Sequence, residues 1–197
     1  MDRRHFLKST ALAAVAMATP RWLISAPSSP TKERNFTGRL QLSFVPYELK
    51  LRHSFNLARS SRTTTPDVLV RLQYDGVTGY GEASMPPYLG ESVKSVTDYL
   101  ASLDLSQFND PFRMDDIHEY LDSVAPDNRA AKASVDIALH DLVGKLVGAP
   151  WYKLWGLSPE KAPDSSFTIG IDIPDIVRVK ISEAAPYNIL KVKMGLD

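Results

Sequence analysis

Cysteine is missing from all 197 residues. Disulfide frameworks, thiolate metal sites and cysteine nucleophiles are therefore excluded. A surplus of either charge is missing too, since 23 basic side chains balance 23 acidic ones. Nothing draws the chain electrostatically to nucleic acid and no acidic tail is present, so a small-molecule partner fits better than a polyanion. Long apolar runs are also lacking. A helix needs about 20 apolar residues to span a bilayer, and "ALAAVAMA" at 11–18 falls well short. What remains is globular material, 44% hydrophobic and 23% charged, sufficient for one large domain or one and a half ordinary ones.

The first thirty residues carry an address rather than a fold. "DRRHFLKS" sets Arg3 and Arg4 ahead of Phe6, Leu7 and Lys8, and the short small-residue run follows. A positive region before a short apolar one is the layout of an export signal. The pattern resembles a twin-arginine signal, departing at Asp2 where serine or threonine is usual. Ala16-Met17-Ala18 offers a cleavage site, Ile24-Ser25-Ala26 a poorer one, and "SAPSSPTKER" reads as linker. Residues 1–30 are thus expected to be signal and linker, directing the protein to the periplasm with no stable membrane span.

Leu40, Leu42 and Phe44 alternate with polar residues as a strand does, and "VLVRLQY" (68–74) is a second strand. Asp75-Gly76 is a strong hairpin turn leading to a third, "VTGYGEA" (77–83). The polar stretches Ser54–Pro66 and "SMPPYLGES" read as loops. Helices follow. Val93, Val96, Leu100 and Leu103 share one helical face. Asp110-Pro111 predicts the start of a second helix, burying Ile117, Tyr120, Leu121 and Val124. "NRAAKASVDIALHDLVGKLVG" (128–148) is the strongest, with an apolar stripe through Val135, Leu139, Leu142 and Leu146 and small residues that allow close approach.

From about 163 the pattern changes. "SSFTIGI" (165–171) reads as a strand, 174–187 as a helix and "NILKVK" (188–193) as a strand, one βαβ unit with parallel strands. The pattern is a three-stranded antiparallel meander plus helices over 38–162, followed by the opening of a parallel α/β array over 163–197, which means two domains. A lone βαβ unit cannot bury a core, so the chain is expected to be the front portion of a longer protein.

Lys191 and Lys193 lie two apart on the last strand and so share a face. At the C-terminal ends of barrel strands such residues face the active site; lysines at an ordinary strand end merely reach for solvent. Asp136 and His140, four apart, read as helix-packing polar residues rather than metal ligands. Glu82 reads as a hydrogen-bonding anchor for the capping loop. Trp151, Tyr152 and Trp155 read as packing between cap and barrel, and His53 and His118 as surface residues. Phe55 and Tyr88 are placed either to cover a ligand or to join the core.

The helix "AKASVDIALHDLVGKLVGAPWYKLWG" (131–156), the hairpin end "GYGEA" (79–83) and the final "LKVKMG" (190–195) resemble the muconate-lactonizing/mandelate racemase branch of the enolase superfamily, most closely its dipeptide epimerases of the L-Ala-D/L-Glu type. The resemblance covers roughly 38–197. It implies an α+β capping domain over 38–162 followed by the first βαβ of a (β/α)8 barrel over 163–197, with the active site between them. It also implies that Lys193 is the acid/base at the substrate α-carbon and that Lys191 binds the substrate carboxylate. Thr168 then touches substrate, and the loop after the first strand lies over the substrate side chain. Where glutamyl-dipeptide epimerases place an arginine, this sequence has Ser60 flanked by Arg59 and Arg62, either of which could meet an acidic group. Removing a proton beside a carboxylate makes a dianion, which a divalent cation must stabilise. A lysine base must be uncharged, and a neighbouring ammonium and a metal ion both push toward that state. Mg2+ is the implied cofactor. Its ligands and the opposing acid/base are expected downstream, so no metal ligand is assigned here and this chain alone is expected to be inactive. The implied partner is a small dipeptide, with homo-oligomer formation left open. Two alternatives stand: a sibling cycloisomerase, dehydratase or o-succinylbenzoate synthase, or a non-catalytic periplasmic binding protein.

Overall fold

In the computed structural model, which describes residues 37–195, the alternating segments form three antiparallel strands. They are β1 (Gln41–Leu57), β2 (Ser60–Tyr74) and β3 (Val77–Ser84), in the order β1-β2-β3. Asp75 and Gly76 have φ of 44° and 77°, the left-handed pair that a two-residue hairpin requires and that Asp-Gly supplies cheaply. On the inner face Val68, Val70, Leu72 and Tyr74 are buried alongside Leu40, while Leu69 and Arg71 between them are exposed.

Helices α1 (Val93–Ala101), α2 (Met114–Val124) and α3 (Arg129–Val147) cover that face: α3 rests on β3 and β2, α1 touches β1, β2 and α3, and α2 packs on α3. Ser92 and Ser95 form a reciprocal capping box at the start of α1. Gly148, at φ 68°, ends α3 in the left-handed conformation glycine favours. The Tyr99 hydroxyl donates to the Leu121 carbonyl at 2.6 Å, tying α1 to α2. Burial, reinforced by Asp122 and Tyr120, pushes its pKa up to about 12.

The closest approach in the fold is α3 on β3. A methyl group on Gly81 would overlap the Ser134 carbonyl oxygen, and one on Gly79 the Ala138 carbonyl oxygen. Ser134, Ala138 and Leu142 lie four apart on one helical face. The glycines of "GYGEA" and the small residues of the long helix are thus two sides of one contact.

Two expectations fail here. Ser54–Pro66 is not a loop: β1 and β2 run on through it as a long hairpin arm turning at Ala58-Arg59. No residue of Ser54–Pro66 is fully buried, so these strands need no apolar alternation. Polarity alone suggested a loop there, although threonine suits a strand. The second helix starts at Met114 rather than at Asp110-Pro111, because the Asp110 carboxylate accepts the Phe112 N–H at 2.9 Å and closes a separate turn.

After the short helix α4 (Trp151–Leu154) come β4 (Ser166–Ile169), α5 (Pro174–Glu183) and β5 (Ile189–Val192). β4 and β5 are parallel, with Ser166 opposite Ile189 and Thr168 opposite Lys191. Among the described residues no helix is long and apolar enough to cross a membrane. The export signal expected at 1–30 lies outside the described residues.

Candidate functional site

Phe167 stacks on Tyr187 at 5.1 Å and Ile169 is buried, so the odd-numbered face of β4 looks toward α5. Thr168 and its pairing neighbour Lys191 occupy the opposite face. Lys193 lies just past β5 but continues the ladder, its N–H donating to the Ile169 carbonyl at 2.9 Å. Two residues on from Lys191, it belongs to the same face. Lys191 is exposed and Lys193 half-buried. The neighbours Ile189, Leu190 and Val192, although apolar, are exposed.

The hairpin arm comes down on the C-terminal end of β4. The Ile171 N–H donates to the Asn56 carbonyl at 2.9 Å, and the Asn56 side-chain amide donates to the Ile171 carbonyl at 2.8 Å. Gly170 makes this crossing feasible, since a methyl there would lie 3.2 Å from the Asn56 nitrogen and oxygen and 3.5 Å from the Phe55 ring. Beside the crossing is a cavity of about 450 Å³, walled by Phe55 and Arg62 of the arm, Thr168 and Gly170 of the β4 segment, and Lys180 and Tyr187 from α5 and its C-terminal flank. The Arg62 guanidinium sits 5.4 Å from the centre of the Phe55 ring, a cation–π contact that orients it.

The structure therefore brings Phe55, Arg62 and Thr168 together and places Arg59 and Ser60 apart, exposed at the tip of the arm. Lys191 and Lys193 do not line this cavity; they stand one strand away from Thr168. Tyr88 is 84% exposed and does not join the core of the described residues.

Other assignments resolve locally. His118 Nε2 lies 2.7 Å from the Asp136 carboxylate, and His140 Nδ1 lies 2.9 Å from the Asp136 carbonyl. The Trp151 indole N–H donates to the His140 carbonyl at 2.6 Å. These polar groups join α2, α3 and α4, as helix-packing residues do. His53 and His118 are not free surface residues: both are half-buried, and His53 Nε2 sits 2.7 Å from the Glu183 carboxylate on α5. Among the described residues no group of three or more His, Cys, Asp or Glu side chains could hold a metal ion.

Glu82 is exposed on β3, and the carboxylate that anchors the second capping loop is Glu91 instead. The Ala130 N–H donates to both Glu91 oxygens, at 3.0 and 3.2 Å. Asn128 starts α3 with no side-chain cap of its own, so Glu91 satisfies an orphan donor and faces the positive end of the helix. Glu91→Ala is expected to lower stability by about 1 kcal/mol, with Glu91→Gln losing less; thermal unfolding at neutral pH checks the order. The sequence signal was a glutamate before a capping serine, but its partner lies 39 positions away. Asp67, only 2% exposed, leaves Oδ1 without a partner among the described residues. Burial pushes its carboxyl pKa up, and Arg62 offsets this in part.

Residues 40–156 match the family model described as "Mandelate racemase / muconate lactonizing enzyme, N-terminal domain". The chain is similar to the L-Ala-D/L-Glu epimerase of Bacteroides thetaiotaomicron, 55% identical over 202 residues, covering 100% of this chain and 53% of that one. It is also similar to an L-Ala-D/L-amino acid epimerase of a Maribacter species, at 35% identity over 80% of this chain and 47% of that one. Among solved structures it resembles a dipeptide epimerase from Enterococcus faecalis complexed with Mg and L-Leu-L-Tyr, at 27% identity and TM-score 0.66, covering 80% of this chain and 46% of that one. The chain spans about half the length of the curated relatives it matches.

Proposed function

We propose, from the premise that this chain belongs to the mandelate racemase/muconate lactonizing enzyme family through its N-terminal domain, that it is the N-terminal part of a Mg2+-dependent dipeptide epimerase. The observation that carries the reading is the parallel β4–β5 pair. It sets Thr168 beside Lys191 on the face away from α5, with Lys193 following where the hairpin arm crosses. On that face Lys193 takes the α-proton of the dipeptide's C-terminal residue and an acid/base on the opposite face delivers a proton to the α-carbon, giving the epimer, while Lys191 holds the carboxylate and opposes the charge that builds on it. The described residues supply no metal site, so no step here passes through the ion. Its ligands and an acid/base on the opposite face are assigned to the half of the relatives' length that this chain does not span. Arg3-Arg4 and the run after them support export to the periplasm by a twin-arginine route.

The test is α-proton exchange in deuterated water with Mg2+ and L-Ala-L-Glu. This chain alone is expected to show none. Joined to the downstream coding sequence, it is expected to exchange deuterium at the glutamyl α-carbon and to form the epimer. Exchange by the chain alone, or its absence from the joined protein, overturns the reading.

Arg62 lines the cavity with Phe55 and Thr168, which supports assigning it, rather than Arg59, to an acidic substrate side chain. In the joined protein Arg62→Ala is expected to reduce the kcat/KM preference for L-Ala-L-Glu over L-Ala-L-Leu about tenfold. Arg59→Ala should leave that ratio within about twofold, since Arg59 does not line the cavity.

A further inference from the structure

We propose that Asp67 makes the root of the hairpin arm a proton-operated hinge: with its carboxyl neutral the last row across all three strands stays closed, and with the carboxyl ionised that row loosens. The proposal concerns the capping layer itself and holds whatever reaction the joined protein carries out.

Asp67 stands opposite Tyr47 of β1 and opposite Ser84 of β3. This is the outermost row in which the three strands run side by side. Beyond it β2 pairs with β1 alone, as the arm. Ser84 is the last residue of β3, so the segment leading to α1 leaves the sheet from the same row. Burial changes there too. From Ser60 to Pro66 no residue is fully buried, whereas Asp67 is 2% exposed and Val68 0%. One carboxyl thus sits at the root of both connecting segments.

Uncharged polar residues surround the position, with Thr63, Thr64 and Thr65 before it and Ser84 beside it. An acid is the costly choice there. Asp67 Oδ1 is buried and accepts no hydrogen bond among the described residues. Losing water without a replacement bond disfavours a carboxylate far more than the neutral acid, so closing this row tightens the carboxyl's hold on a proton. Burial accordingly pushes its pKa up, and the Arg62 guanidinium, farther out on the arm, offsets part of the rise. The other ionisable side chains near the row are Tyr47, Glu48 and Glu82. All three are exposed, and Glu48 accepts the Thr64 hydroxyl at 2.9 Å. Once ionised, the Asp67 carboxylate is better served by water than by the closed row, and the strands part to admit it.

The sign of the pH dependence follows. The folded chain holds this proton more tightly than the unfolded chain does. The stability that Asp67 permits is therefore greatest below the ordinary carboxylate range, and it falls as pH rises through the folded value.

Urea unfolding and hydrogen–deuterium exchange of the whole 197-residue chain, compared at matched pH, test the hinge. Asp67→Asn keeps the shape and cannot ionise. At pH 8 its urea midpoint is expected to lie above wild type. Its amides in 64–67 and 82–86 should exchange at least about threefold more slowly. Both differences should vanish as pH falls toward 4. Asp67→Ser, equally unable to ionise, should reproduce the trend and so separate charge from shape. A midpoint below wild type at pH 8, or a gap that does not change with pH, would mean that the carboxylate is partnered in solution and overturns the proposal. The carboxyl carbon resonance of Asp67 in the wild-type chain decides without any variant. Titration above the ordinary aspartate range supports the hinge, and titration within or below it sinks the idea.

Discussion

Gly81→Ala is expected to destabilise the protein by at least about 3 kcal/mol, the upper end of what one added methyl costs in a packed core. The added carbon would overlap the Ser134 carbonyl oxygen and lie 2.9 Å from the Ala138 nitrogen. Both are helix backbone atoms, so no side chain can swing aside, and α3 must move away from β3 as a body. That movement opens the packing of Val135, Ala138, Leu139 and Leu142, all buried in the core, and lost contacts add to the overlap. Gly76→Ala offers a contrast. Nothing crowds that position, but φ is 77°, so the cost there is backbone strain of about 1 kcal/mol. Urea denaturation of the two variants measures the difference. A Gly81→Ala midpoint close to wild type would mean that the helix and sheet are not in the contact described.

Lys193→Ala, made in the protein joined to its downstream half, is expected to lower kcat for epimerisation by three orders of magnitude or more with little change in KM. A positioned acid/base contributes about 10²–10⁴-fold, and an interaction made only in the transition state falls on kcat. Lys193→Arg should not rescue, because a guanidinium keeps its proton at any accessible pH. Lys191→Ala should act differently. It removes a carboxylate partner that binds substrate as well as the transition state, so KM should rise along with the fall in kcat. Steady-state rates by circular dichroism of the two epimers would separate the cases. Equal, mild effects at both positions would remove the lysine pair from the chemistry.

What the sequence disclosed follows the physics of burial. The inner-facing positions from Val68 to Tyr74 alternate because one face meets helices and the other water, and period-2 patterning is legible wherever that holds. The βαβ unit was legible for a similar reason, from apolar strands separated by a helix opening at Pro174. The arm was not, because no residue of Ser54–Pro66 is fully buried and nothing in its polarity distinguishes strand from loop. The break in its register between Lys50 and Phe55 was equally invisible, since Lys180, which bonds Ser54 there, lies more than a hundred positions away. Of the candidate site, the KxK spacing and Thr168 could be read from the pattern together with the family resemblance. Choosing Arg62 over Arg59 needed the fold, for it depends on which residues of a hairpin tip turn back toward β4.

The bare flank of β5 has a consequence for biogenesis. Ile189, Leu190 and Val192 are exposed on a strand paired on one side with β4. As the chain leaves the ribosome, the antiparallel layer and its helices emerge first and can close around their core. The later strand then surfaces as a short adhesive strip, open to pairing with a neighbouring nascent chain.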